Sequence, residues 1–334
     1  MKRFLSALVL ALLLFSSPAF ALDIKAGSYT GNGSDNRGIT GIGFQPTFVL
    51  IRALTGSQVA VFRTSDMAGD NSLKMTGTAL EANIVQSLDA DGFTIGTDNT
   101  VNINAITYSY IAIKQDSTYF KNGTYTGDGT DNRSITGLGF QPDFCIVKHP
   151  SGSWNEPAWS SSSMTVGNSL APTDGSFSDI TDRIQAFEAG GFQIGTQAQV
   201  NNSGDTYYYF CGKNLANGIK SGTYTGTGTD GRNITGVGFN PESVWIQSNT
   251  TYLGQYWPGD TGDSTYKWYL AGQFTDSIQS LISDGFQLGT GYNGNGTVFY
   301  YVAFLSISGG GSPTPAAVNS YINSTAVIND AVIN

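Results

Sequence analysis

The run Phe48-Val49-Leu50-Ile51-Arg52 is apolar and β-branched, lacks a breaker, and returns around Cys145 and Val244. Val49, Cys145 and Val244 stay small and apolar, as do Ile51, Val147 and Ile246, while Arg52, Lys148 and Gln247 fall on the intervening face. That period of two predicts strands with one buried face. Residues 29–33 and 39–44 flank Ser34-Asp35-Asn36-Arg37, a turn-forming cluster, which is how an antiparallel hairpin is written. The helical signal is slight: Val85, Ile184 and Ile278 sit three residues ahead of Leu88, Phe187 and Leu281, the spacing of a short helical turn.

These elements belong to an internal repeat. From Gly27 the chain reads GSYTGNGSDNRGITGIGFQPTFVLI, from Gly123 GTYTGDGTDNRSITGLGFQPDFCIV, and from Gly222 GTYTGTGTDGRNITGVGFNPESVWI. Each copy closes with DGFTIGT, GGFQIGT or DGFQLGT, followed by Asn102, Asn201 or Asn293 and a strand-like run, YSYIAI, YYYFCG or FYYVAF. Three copies tile residues 26–306, and each is long enough to bury its own core, unlike the shorter units of a solenoid. The expected fold is all-β, three tandem antiparallel β-sandwich domains from one repeat: 22–118, 119–217 and 218–307. Brief polar connectors near residues 114–122 and 213–221 predict beads on a short string. Residues 308–334 read as a Gly/Pro linker and an apolar tail, expected to dock as an added β-strand on a second molecule of the chain, with a disordered tail as the rival.

Residues 1–21 have the form of an export signal. Lys2 and Arg3 precede an apolar stretch over 4–15, and Ala19-Phe20-Ala21 supplies the cleavage pattern. The expected location is extracellular or at the cell surface, or the periplasm, with no membrane insertion after cleavage. Without Lys2 and Arg3, 14 basic residues face 25 acidic ones, which disfavours nucleic-acid binding. In such a compartment Cys145 and Cys211 can pair. Both lie in the second copy, one replacing Val49 or Val244 and the other Ala112 or Ala303, so a disulfide between two small apolar positions is expected.

Internal comparison also weighs catalysis. The only histidine, His149, aligns with Ala53 and Ser248, so it belongs to no shared site and reads as a surface or strand-end residue. Among acids, Asp35, Asp131 and Asp230 recur, each two residues before Arg37, Arg133 or Arg232. One carboxylate per copy is short of the pair a glycosidase uses. The simple reading is a turn aspartate bonding its own backbone beside a weakly paired arginine. Calcium is disfavoured because Asn32 and Thr227 stand where the second copy has Asp128. GNGSDNRG resembles a phosphate loop, but hairpin context rather than a helix follows it. No enzyme activity, cofactor or metal is therefore expected.

What differs between copies is where specificity is expected. Trp154, Tyr252, Tyr256, Tyr266 and Trp268 lie in stretches rich in Gly, Ser and Asp, and aromatic rings suit stacking on sugars or burial at a protein contact. Trp159 and Trp257 align with Phe62 and are assigned to the core. The combination of ITGLGFQPDF, DGFTIGT and the strand ending in YIAI or YVAF resembles a β-sandwich module of phage tail fibres and bacterial secreted proteins, and is distantly similar to H-type lectins. That resemblance implies surface attachment. The expected function is a secreted, non-enzymatic adhesin or glycan-binding protein whose partner is a surface glycan or cell-surface protein. The alternative is a structural subunit of an extracellular filament or matrix, assembled with other copies of itself through the tail.

Overall fold

A computed structural model of the chain describes residues 22–56, 58–150, 156–172, 180–250, 254–259, 263–268 and 273–308. The expected export signal, Trp154, Tyr252 and the tail from residue 309 lie outside the described residues, as does the side chain of Trp257.

Each copy is a two-sheet antiparallel sandwich. In the first, the larger sheet runs Asp23–Thr30, Thr107–Lys114, Phe48–Ala53, Val61–Thr64, Leu73–Lys74, and the smaller Arg37–Thr40, Gly92–Ile95, Val85–Asp89. The second and third copies repeat this order, with larger sheets of four and six strands. The alternation at Val49 and Ile51 buries those side chains between the two sheets with Phe93 and Ile95, and equivalent cores form in the other copies. The helical turn expected at Val85, Ile184 and Ile278 is instead a strand. A register shift lies between Val85 and Ser87, and likewise at Ile184/Ala186 and Ile278/Ser280. One extra residue in the strand turns an apolar spacing of two into three, which imitates a helix. The short helices fall later, at Asn99–Asn102 and Ala198–Asn201.

The expectation of one polar strand face is also corrected. Phe48 and Leu50, Phe144 and Ile146, and Trp245 point away from their own sandwich cores into a single hydrophobic centre shared by all three copies. Arg52, Lys148 and Gln247 lie on that same face and are buried as well. The larger sheets are thus covered on both sides, the situation that produces continuous apolar runs along a strand. Across the centre, Phe48 meets Phe210 at 4.5 Å between ring centroids, Phe144 meets Trp245 at 6.2 Å, and Trp159 stacks on Trp268 at 6.1 Å.

The three sandwiches close into a ring rather than a string of beads. At the covalent junctions, Asn122 N donates to Gln115 Oε1 and Ser221 N to Asn214 Oδ1. At the third seam Ala26 N donates to Ser306 Oγ in the equivalent place, although no peptide link joins those segments. Likewise Leu215 and Ile219 exchange two backbone hydrogen bonds, and Ile24 and Ile307 do the same across the seam, at 2.8 and 2.9 Å. The first copy therefore docks on the third as each later copy docks on its predecessor.

Candidate functional site

The feature that every copy builds alike is the end of the sandwich carrying the Tyr-Thr-Gly-x-Gly turn. Tyr29, Tyr125 and Tyr224 donate their hydroxyls to the carbonyls of Val101, Val200 and Tyr292. Arg37, Arg133 and Arg232 lie over those rings at 5.4, 5.6 and 5.6 Å. Behind the turn, Asn102 is buried. It accepts from the amides of Asn32 and Gly33 and donates to the carbonyls of Ser34 and Gly96. Asn201 makes the matching set in the second copy. The amides that a phosphate loop would offer to an anion are thus engaged by an asparagine, and a strand follows the turn.

The recurrent aspartates are exposed, and their partner differs from the expected one. Gln86, Gln185 and Gln279 donate to Asp35, Asp131 and Asp230 at 2.8, 2.9 and 2.7 Å. Each glutamine also reaches Asn83, Asp182 or Asp276, a residue held at positive φ in each copy. Thr97, Thr196 and Thr290 complete the clusters by contacting those same side chains. The shared arginines turn to the neighbouring tyrosine and to the carbonyls of Thr30, Thr126 and Thr225, so the expected Asp–Arg surface pair is replaced by an Asp–Gln–Asx–Thr cluster. Only Asp131 also takes up a backbone amide, that of Asn132. The glutamines escaped sequence reading, yet each stands seven residues before the phenylalanine of the closing block.

Of the aromatic candidates that are described, Tyr256, Tyr266 and Trp268 are buried, which corrects their assignment as ligand-binding side chains. In the third copy, strands Gln255–Trp257 and Thr265–Lys267 take the places of Val61–Thr64 and Leu73–Lys74 in the larger sheet, and Tyr256 and Trp268 pack into the shared centre. Tyr256 pairs with Trp245 as Phe62 pairs with Leu50 and Trp159 with Ile146, so Tyr256 occupies the place the alignment gave to Trp257. Its hydroxyl meets Ser109 Oγ of the first copy at 2.6 Å, and burial pushes the phenol up to about 12.

Cys145 and Cys211 form a disulfide between directly opposed positions of neighbouring strands. His149 directly follows strand Phe144–Lys148 and is buried, with Nε2 3.1 Å from Asp205 and its ring against Tyr207, a correction of the surface alternative. Asp128 pairs with Arg133 Nε at 3.2 Å. Among the described residues no group of three or more His, Cys, Asp or Glu side chains is placed to hold a metal, and no helix is long and apolar enough to cross a membrane.

These observations define a class: an all-β chain of tandem sandwich repeats, one of them bridged by a disulfide. The chain belongs to the family described as Domain of unknown function (DUF7483), whose model matches residues 23–114 and 115–222. The third copy, beyond those matches, repeats the same sheet order. No curated protein matches the chain.

Proposed function

We propose that this is a secreted, non-enzymatic recognition protein that attaches to a surface glycan or cell-surface protein through the polar cluster repeated on each sandwich. The observation that carries this reading is the recurrence of Asp35, Asp131 and Asp230 with Gln86, Gln185 and Gln279 on the exposed end of all three copies. Tyr256 and Trp268 of the third copy are spent on the shared centre and Tyr266 is buried, so these candidates leave recognition to the surface that the copies have in common. Three equal, weak sites on one closed body gain avidity of about 10² to 10⁴ without any new contact. The disulfide fits an oxidising compartment, as the export signal implies.

A glycan array probed with the exported protein, beside the variants Asp35→Ala, Asp131→Ala and Asp230→Ala singly and together, tests this. Single variants should weaken surface binding by about tenfold or less and the triple variant should remove most of the avidity. A triple variant that binds every responsive surface as well as the parent would sink the reading.

A further inference from the structure

Strand Asp23–Thr30 is an edge strand of the first copy's larger sheet. Its even-numbered residues direct their backbone groups away from the paired strand: Ile24 bonds Ile307, and Ala26 N bonds Ser306 Oγ. By the same alternation Ser28 turns both its N–H and its carbonyl outward. Beside this stretch lies a groove of about 420 Å3 at the seam between the first and third copies, with Leu54, Pro258 and Leu281 as its apolar wall and Lys25 and Glu242 among its polar lining. At the Ala26 position the other copies are filled, although Thr124 and Thr223 are exposed like Ser28. Asn122 stands where Ala26 does and is buried against Ser65 and Asp66, and Ser221 is buried in its turn. Alanine in the first copy, and Gly259 packed on the carbonyl of Glu242, leave this one seam open.

The described residues end at this same seam: Ile307 bonds Ile24, and residues 309–334 follow Ser308 in the sequence. That segment is apolar at Val318, Ile322, Val327, Ile328, Val332 and Ile333, with Asp330 as its one charged side chain. At Ile307 the chain runs antiparallel to Asp23–Thr30 and so heads toward Leu22, away from the groove. We propose that the groove receives residues 316–334 of a second copy of this chain, added as a β-strand along Ala26 to Ser28. With Ala26 N already held by Ser306 Oγ, the Ala26 carbonyl and both backbone groups of Ser28 meet the strand's own, Leu54, Pro258 and Leu281 meet its apolar side chains, and Lys25 on the lip meets Asp330. The contact is heterologous, since the donor's own groove stays free for a third chain, and it propagates head to tail. It is independent of the recognition clusters, so a negative glycan array leaves it intact.

The test uses the full exported chain in sedimentation velocity over rising concentration, with electron microscopy of the same samples. Ser28→Pro removes the outward N–H without touching the bonds to the paired strand, because proline is tolerated on a sheet edge. Thr124→Pro makes the same change on the second copy and serves as control. Lys25→Glu probes the lip at an exposed position, and the pair Val327→Asp and Ile328→Asp disables the donor. The parent and Thr124→Pro should form species heavier than one chain that grow with concentration. Ser28→Pro and the donor variant should remain single chains with unchanged melting, and Lys25→Glu should associate several-fold more weakly. A parent that stays a single chain at every concentration overturns the proposal. So does undiminished assembly of both Ser28→Pro and Lys25→Glu, and so does a single chain whose Ser28 amide is protected from exchange by its own tail.

Discussion

Arg52, Lys148 and Gln247 share one position on three equivalent strands, and all three are buried at the polar end of the common centre. Each finds backbone acceptors there. Arg52 Nε donates to the carbonyl of Lys267 in the third copy, Gln247 Nε2 to that of Ala171 in the second, and Lys148 Nζ to that of His149 beside it. Carbonyl dipoles solvate a buried cation less well than water does, so burial pushes Arg52 down to about 10 and Lys148 down to about 7, with Glu156 opposing the second shift. For Lys148 the consequence is a stability that depends on pH. Unfolded, it keeps its proton up to its ordinary value of 10.5, whereas folded it loses the proton near 7. Between those values the unfolded chain binds more protons, and stability rises with pH by at most about 1.4 kcal/mol per unit. Below about 7 both states are protonated and this contribution is absent. Urea midpoints at pH 6.5, 8 and 9 should climb in the parent and flatten in Lys148→Gln, which installs the third copy's residue. Equal slopes in the two proteins would refute the assignment. The buried tyrosines do not interfere, because burial raises their titration above this range.

At the scale of strands, the repeat made most of each sandwich legible. Hairpin turns, period-two runs and closing blocks recur in register, and internal comparison separates scaffold from variation without outside help. The cysteine pair was readable for the same reason, since Val49 with Ala112 and Val244 with Ala303 are the cross-strand pairs that Cys145 and Cys211 replace. Closing 66 residues of separation stabilises by about 4 kcal/mol in the chain-entropy account. The double variant Cys145→Val with Cys211→Ala restores the packing of the other copies, so it isolates that contribution. It should melt lower by several degrees while keeping the fold, and a reductant should then have no further effect on it. An unchanged melting temperature would show that the bridge adds nothing beyond packing. Less legible was which way Leu50, Ile146 and Trp245 face. Their partners sit in other copies about a hundred residues away. The polar residues on the same strand face advertised solvent, although acceptors from neighbouring copies await two of them. The Asp–Gln clusters were half legible, because turn aspartates are conspicuous, whereas a glutamine inside a strand carries no turn signal and acquires its meaning only from the hairpin folded against it.

For the whole molecule, the shared centre changes what kind of object three tandem repeats make. Independent beads would unfold in three steps, each set by its own sandwich core. Here Trp245 of the third copy lies 6.2 Å from Phe144 and 6.1 Å from Phe210 of the second, and 5.3 Å from Trp268, which in turn stacks on Trp159. Trp268 also accepts at its carbonyl from Ala60 N of the first copy, and Tyr256 meets Ser109 there. Losing any one sandwich exposes the inner face of the other two larger sheets, so the cost of partial unfolding falls on every copy. Calorimetry should therefore record one transition whose measured enthalpy equals its van't Hoff enthalpy. Trp245→Ala removes one of the three tryptophan rings at the centre and should cost about 3 to 5 kcal/mol. The discriminating observation is where that loss registers. Amide exchange at Ile51, Val147 and Ile246, one buried strand residue in each copy, should accelerate together in the variant. If Ile246 alone loosened, or if the parent melted in separable steps, the ring would be a set of adjoining domains, and fixed trivalent spacing would lose its physical basis.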